Sequence, residues 1–106
     1  MSTQYPVASV SEIPPGSSLE VVAGDKVLAV FNVSGEFFAL DGICPHAGGP
    51  LGKGTLSGTI VTCPWHGWQF DVTTGQHCLS PAICQVRYPV TIDGDRIVIE
   101  LPDDDT

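Results

Sequence analysis

Cys44-Pro45-His46 and Cys63-Pro64-Trp65-His66 decide how this chain must fold. Sixteen residues separate the two halves, so the pattern reads C-x-H and then C-x-x-H. Each half offers one soft thiolate and one imidazole, a donor pair suited to a transition metal. Gly48, Gly49, Gly52 and Gly67 flank them. Such glycines let the backbone turn sharply and aim amide N–H groups at a bound sulfur or anion. From Asp41 to Pro81 the chain holds all three histidines, all but one of the four cysteines, both tryptophans and eight of the twelve glycines. So loop-rich a segment buries little apolar surface by itself, and a metal centre would hold it together.

On either side the pattern is β. Short runs rich in Val, Ile and Phe alternate with Gly, Pro, Asp and Ser. Strands are expected at Tyr5–Ala8, Ser18–Val22, Lys26–Val33, Glu36–Leu40, Thr59–Thr62, Gln69–Asp71, Val86–Ile92 and Arg96–Leu101. Ser34-Gly35 and Asp93-Gly94 read as hairpin turns. Ser11 to Gly16 allows one short helical turn before Pro14 and Pro15 stop it. Many short strands with tight turns imply an all-β fold, an antiparallel β-sandwich or barrel. A length of 106 residues suits one domain. Its base would comprise residues 1–41 and 83–102, with a small cluster-binding subdomain inserted at about 42–82 and an acidic tail at 103–106.

Four Lys and Arg stand against twelve Asp and Glu, a formal charge of −8. That balance argues against nucleic acid and anionic membranes, which repel an acidic protein. It permits docking on a basic patch of a protein partner, or simply keeps the chain soluble. No apolar run approaches the ~20 residues that span a bilayer. Met1 to Pro15 has neither a basic n-region nor an apolar h-region, so a cytoplasmic location is expected. In that reducing compartment cysteines near histidines are metal ligands more often than disulfides. Asn32-Val33-Ser34 matches a glycosylation sequon by chance. His77, Cys78 and Cys84 lie outside the two halves, and a partly exposed histidine and two free thiols are expected there. Asp103 to Asp105 reads as a solvated end.

Two metal chemistries share this donor inventory. A [2Fe–2S] cluster with two thiolates on one iron and two imidazoles on the other needs this supply, and neutral imidazoles leave their iron more easily reduced. Zinc in a Cys₂His₂ site, stabilising an interaction module, uses the same four residues. Zinc-finger spacing, however, puts both cysteines before both histidines and the histidines on a helix.

The text from Cys44-Pro45-His46-Ala47-Gly48-Gly49-Pro50-Leu51 to Cys63-Pro64-Trp65-His66-Gly67-Trp68-Gln69-Phe70-Asp71 resembles the Rieske iron–sulfur family. The likeness runs on through Thr74-Gly75 and Leu79-Ser80-Pro81-Ala82. It implies one [2Fe–2S] cluster, with Cys44 and Cys63 on a buried iron and His46 and His66 on an outer one near solvent, where electrons enter and leave. Pro45 and Trp65 would form the docking rim, and Trp68, Phe70 and Pro81 would shield the cluster.

The respiratory and photosynthetic branch of that family carries an extra cysteine in each cluster loop. Here those positions hold Gly49 and Trp65, so that bridge cannot form. Its serine and tyrosine donors to the cluster sulfurs correspond to Trp68 and Phe70, which lack the hydroxyl. Such hydrogen bonds raise the potential, so a low-potential cluster is expected. No second His₂-carboxylate iron site can be assembled, since His77 is the one histidine left, and no catalytic residue is expected. Gly52-Lys53-Gly54 is no dinucleotide fingerprint. The resemblance thus implies a monomeric one-electron carrier between a flavoprotein NAD(P)H reductase and a terminal oxygenase of a ring-hydroxylating dioxygenase system. The small Rieske-like subunit of an NAD(P)H-dependent nitrite reductase, bound to its large subunit, resembles the chain almost as well.

Overall fold

The run Lys26-Val27-Leu28-Ala29-Val30-Phe31-Asn32-Val33 is apolar at nearly every position, the pattern of a strand covered on both faces. The computed structural model describes residues 2–43, 49–65, 67–78 and 83–102. Among them ten strands follow in chain order: β1 (Ser2–Ser9), β2 (Ser18–Ala23), β3 (Lys26–Val33), β4 (Glu36–Asp41), β5 (Thr55–Ser57), β6 (Ile60–Thr62), β7 (Gln69–Asp71), β8 (Arg87–Tyr88), β9 (Val90–Asp93) and β10 (Arg96–Pro102). Two single 3₁₀ turns, Val10–Glu12 and Leu51–Lys53, complete the described elements. The strands form three antiparallel sheets, ordered β1-β10-β9, β2-β3-β4-β8 and β5-β6-β7. The all-β antiparallel expectation holds, and the sheets stay open and layered; they do not close into a barrel.

The β2-β3-β4-β8 sheet is the middle layer. Leu28 and Val30 of β3 point to one core, shared with Ile13, Val21, Ala39, Tyr88, Ile97, Ile99 and Leu101. Ala29 and Phe31 point to the other, shared with Leu40, Leu51, Val61, Cys63, Phe70 and Val72. Strand period 2 explains the split, because successive side chains leave opposite faces of the sheet. Cys63 therefore belongs to the second core, which ties the motif to the sheet beneath it.

The β3–β4 hairpin turns at Ser34-Gly35, both at positive φ (52° and 97°), as a two-residue turn between twisted strands requires. Buried Asn32 braces it: its Nδ2 donates to the Ile13 carbonyl (2.7 Å) and its Oδ1 accepts from the Gly35 N–H (2.8 Å). The sequon asparagine is thus buried and hydrogen-bonded through both ends of its amide.

Three local expectations change. Val86–Ile92 is not one strand: β8 pairs with β4 and β9 with β10, in different sheets. Pro89 stands between them, and without an N–H it cannot continue a ladder, although its carbonyl accepts from the Glu100 N–H at 3.0 Å. β1 is longer than expected and carries a register shift between Pro6 and Ala8. β5 was not anticipated; it forms a hairpin with β6 around Gly58 and Thr59, so β6 starts at Ile60.

Leu28 is fully buried in the first core. Leu28→Ala should cost about 2–5 kcal/mol, a large share of a total stability of about 5–15 kcal/mol. A lower urea midpoint at unchanged slope will check it.

Candidate metal centre

Each half of the motif belongs to a loop pinned at its neck. The first is closed where the Leu51 N–H donates to the Gly42 carbonyl (2.9 Å) and Ile43 bridges Pro50. The Gly42 N–H in turn donates to the Val27 carbonyl (2.9 Å), which fastens this neck to β3. The second loop joins β6 to β7 and is closed by the Cys63 N–H donating to the Trp68 carbonyl (2.7 Å). Cys44, Pro45 and His46 of the first loop and His66 of the second lie outside the described residues. Of the four candidate ligands Cys63 is described, and it is 1% exposed.

Gly49 brings the loops together. A Cβ placed there would sit 2.8 Å from Cys63 Sγ and 2.9 Å from Trp65 Cγ, closer than real Cβ atoms approach such neighbours. The backbone that leaves the first motif half therefore packs directly on the thiol of the second. This close approach, with a donor set of two thiolates and two imidazoles, fits a [2Fe–2S] cluster of the mixed-ligand kind. Among the described residues, which include Cys63 alone of the four candidate ligands, no group of three or more His, Cys, Asp or Glu side chains is placed to hold a metal.

The third loop is pinned in the same manner. The His77 N–H donates to the Ile83 carbonyl (2.9 Å), Gln76 bridges Cys84, and the Cys78 N–H donates to the Gln69 carbonyl (2.9 Å). Residues 79–82, including Pro81, lie outside the described residues, as does the tail at 103–106. Cys78 and Cys84 are both exposed.

His77 corrects an expectation, since it is buried, not partly exposed (7%). It bridges Phe70 across the strands and meets two rings edge-on, Trp68 at 4.6 Å and Phe70 at 5.2 Å between centroids. Its sequence neighbours Gln76 and Cys78 carry no apolar pattern, so nothing local announced this burial. Phe70 is fully buried, Trp68 is half-buried, and Trp65 stands half exposed beside Gly49.

Charge is scarce around the loops. Lys53 and Asp71 are the charged residues between positions 42 and 82, so that stretch is formally neutral and the −8 belongs to the rest of the chain. Asp71 is spent locally, accepting from the Thr73 N–H (3.0 Å) and hydroxyl (2.6 Å). Near the first neck, burial and the Asp41 carboxylate hold the Tyr88 phenol above its ordinary pKa, partly offset by Lys26, so it stays neutral.

The model of the Rieske [2Fe-2S] domain matches residues 3–91. The ferredoxin component of a naphthalene 1,2-dioxygenase system from Pseudomonas aeruginosa is 40% identical over 91 residues, covering 85% of this chain and 88% of that one. Among solved structures, a Sphingomonas yanoikuyae B1 ferredoxin superposes with a TM-score of 0.85 at 35% identity, over 94% of this chain and 100% of that one. A chain from a complex of reduced oxygenase and oxidized ferredoxin in carbazole 1,9a-dioxygenase gives a TM-score of 0.83 at 31% identity, over 91% of each chain. The pinned loops, the Gly49–Cys63 approach and a family match across most of the sequence lead to one conclusion: this chain belongs to the Rieske [2Fe-2S] domain family.

Proposed function

We propose that this chain is a one-electron carrier that takes electrons from a flavoprotein NAD(P)H reductase and passes them to the terminal oxygenase of a ring-hydroxylating dioxygenase system. In this reading Cys44 and Cys63 hold one iron and His46 and His66 the other, within a cluster-binding unit of about residues 42–82. The bound [2Fe–2S] cluster supplies reversible one-electron storage. The protein's part is to hold the ligands still, exclude water and present a docking surface.

The observation that carries the reading is the approach of Gly49 to Cys63 Sγ, which brings the two ligand loops into direct contact. Trp65 is half exposed beside that contact and would supply, with Pro45, an apolar rim, since Trp is enriched at binding hot spots. Electrons would leave through His46 and His66. Trp68, Phe70 and Pro81 would keep solvent away. As a carrier the protein works as a monomer in the cytoplasm, with no catalytic group of its own. Ferredoxin relatives named for dioxygenase systems support this choice of partner.

Anaerobic redox titration with low-temperature EPR tests the reading. A Rieske-type signal with a midpoint near −150 mV is expected, the low end of the Rieske range. A colourless protein that contains zinc would overturn it, and a midpoint well above zero would overturn the roles given to Trp68 and Phe70. Phe70→Tyr adds back one hydroxyl donor and should raise the midpoint by roughly 20–60 mV, one hydrogen bond's worth for a one-electron couple. Gly49→Ala drives a methyl group into Cys63 Sγ and the Trp65 side chain. It should leave chains with clearly less than the parent's iron content, read by iron-to-protein ratio after purification.

A further inference from the structure

Gln85 is a buried polar residue (7% exposed) that neither the motif nor the ligand assignment uses. Its Nε2 donates to two backbone carbonyls, Asp41 O and Ile43 O, each at 2.7 Å. Two acceptors leave no choice of amide orientation, because the carbonyl end would face like partial charges there. Both hydrogens of the amide are therefore committed to the neck of the first loop. On the other side the Gln85 backbone N–H donates to the Gly75 carbonyl (2.6 Å), and its neighbours continue the tie. Cys84 bridges Gln76, and the Val86 carbonyl accepts from the Asp41 N–H at 2.9 Å.

Ile43 immediately precedes Cys44. A peptide unit is planar, so fixing the Ile43 carbonyl fixes the plane in which the Cys44 nitrogen lies. Pro50, opposite Ile43 across the neck, has no N–H to offer that carbonyl. We propose that Gln85 is a positioning residue for the metal centre. Its amide clamps the entry of the first ligand loop to the segment that leaves the third loop. The clamp sets the direction in which Cys44 leaves the neck, and it rests on the ligand assignment proposed above.

The test compares two isosteric changes in the cluster-loaded protein. Gln85→Glu keeps the shape and removes both donors to the neck. Asn32→Asp removes the other buried amide donor, the one to Ile13, at the β3–β4 hairpin. Thermal midpoint, rate of iron release to a chelator, redox midpoint and the EPR line shape of the reduced protein are read for each. Gln85→Glu is expected to release iron about tenfold faster than the parent, the low end of effects seen for residues that orient metal ligands, with an altered EPR line. Asn32→Asp is expected to melt earlier yet keep the parent's release rate and line. Iron release by Gln85→Glu no faster than by Asn32→Asp, with the parent's EPR line, would make the clamp an ordinary stabilising bond and overturn the proposal. Should Gln85→Glu not be recovered folded, Gln85→Met has no donor at similar volume and decides between the same two outcomes. A parent protein without a Rieske-type signal would instead sink the ligand assignment and the clamp with it.

Discussion

The middle sheet must be covered on both faces. Leu28, Ala29, Val30 and Phe31 are all fully buried in succession, and no arrangement of one strand can hide four consecutive apolar side chains with a single layer. The chain's two ends supply one cover, through Ile97, Ile99 and Leu101 of β10. The metal-binding segment supplies the other, through Leu51, Val61, Phe70 and Val72. The cluster loops are therefore not an appendage on a finished sandwich. They grow out of a layer that the sheet requires, and Cys63 is at once a core residue and a candidate ligand.

This sharing explains why the loop-rich segment is tied down at so many points. Ser18 at the start of β2 donates to the Gly52 carbonyl (3.0 Å), and Gly52 lies so close to Glu20 that a Cβ there would come within 2.8 Å of its Cα. Gln85, Gly42 and Cys63 each add a hydrogen bond at a loop neck. Short-range packing fixes the layer, hydrogen bonds fix the necks, and the ligands need travel only a few residues from a rigid support. Metal binding and folding are coupled in such a design, since atoms that order one also order the other.

The candidate ligand set, Cys44, His46, Cys63 and His66, is a reading of the sequence, because its chemistry resides in residue types at fixed spacing. β3 and β7 were legible to the residue, since a buried apolar run and a short aromatic strand are local patterns. What could not be read depends on distant partners. The switch of sheets at Pro89 shows only when β4 and β10 are in place to receive the two pieces. His77 looked polar and peripheral until Phe70 and Trp68 closed around it. Gln85 carries no signal in the sequence, because its two carbonyl partners lie 44 and 42 residues earlier in the chain. Side chain-to-backbone bonds of that span leave no periodicity behind.

The neutrality of residues 42–82 has a consequence beyond the site itself. With all of the −8 carried elsewhere, the formal charge is divided unevenly along the chain, and residues 42–82 contribute none of it. Near a negatively charged body a molecule whose charge is unevenly placed feels a torque that turns its less negative side forward, and near a positive one the torque reverses. A partner can thus select the angle of arrival by where its own charges sit, without placing one at the point of contact. Physiological salt limits the reach of that torque to roughly 8 Å. Beyond that distance the molecule tumbles freely, and within it apolar fit takes over from the field.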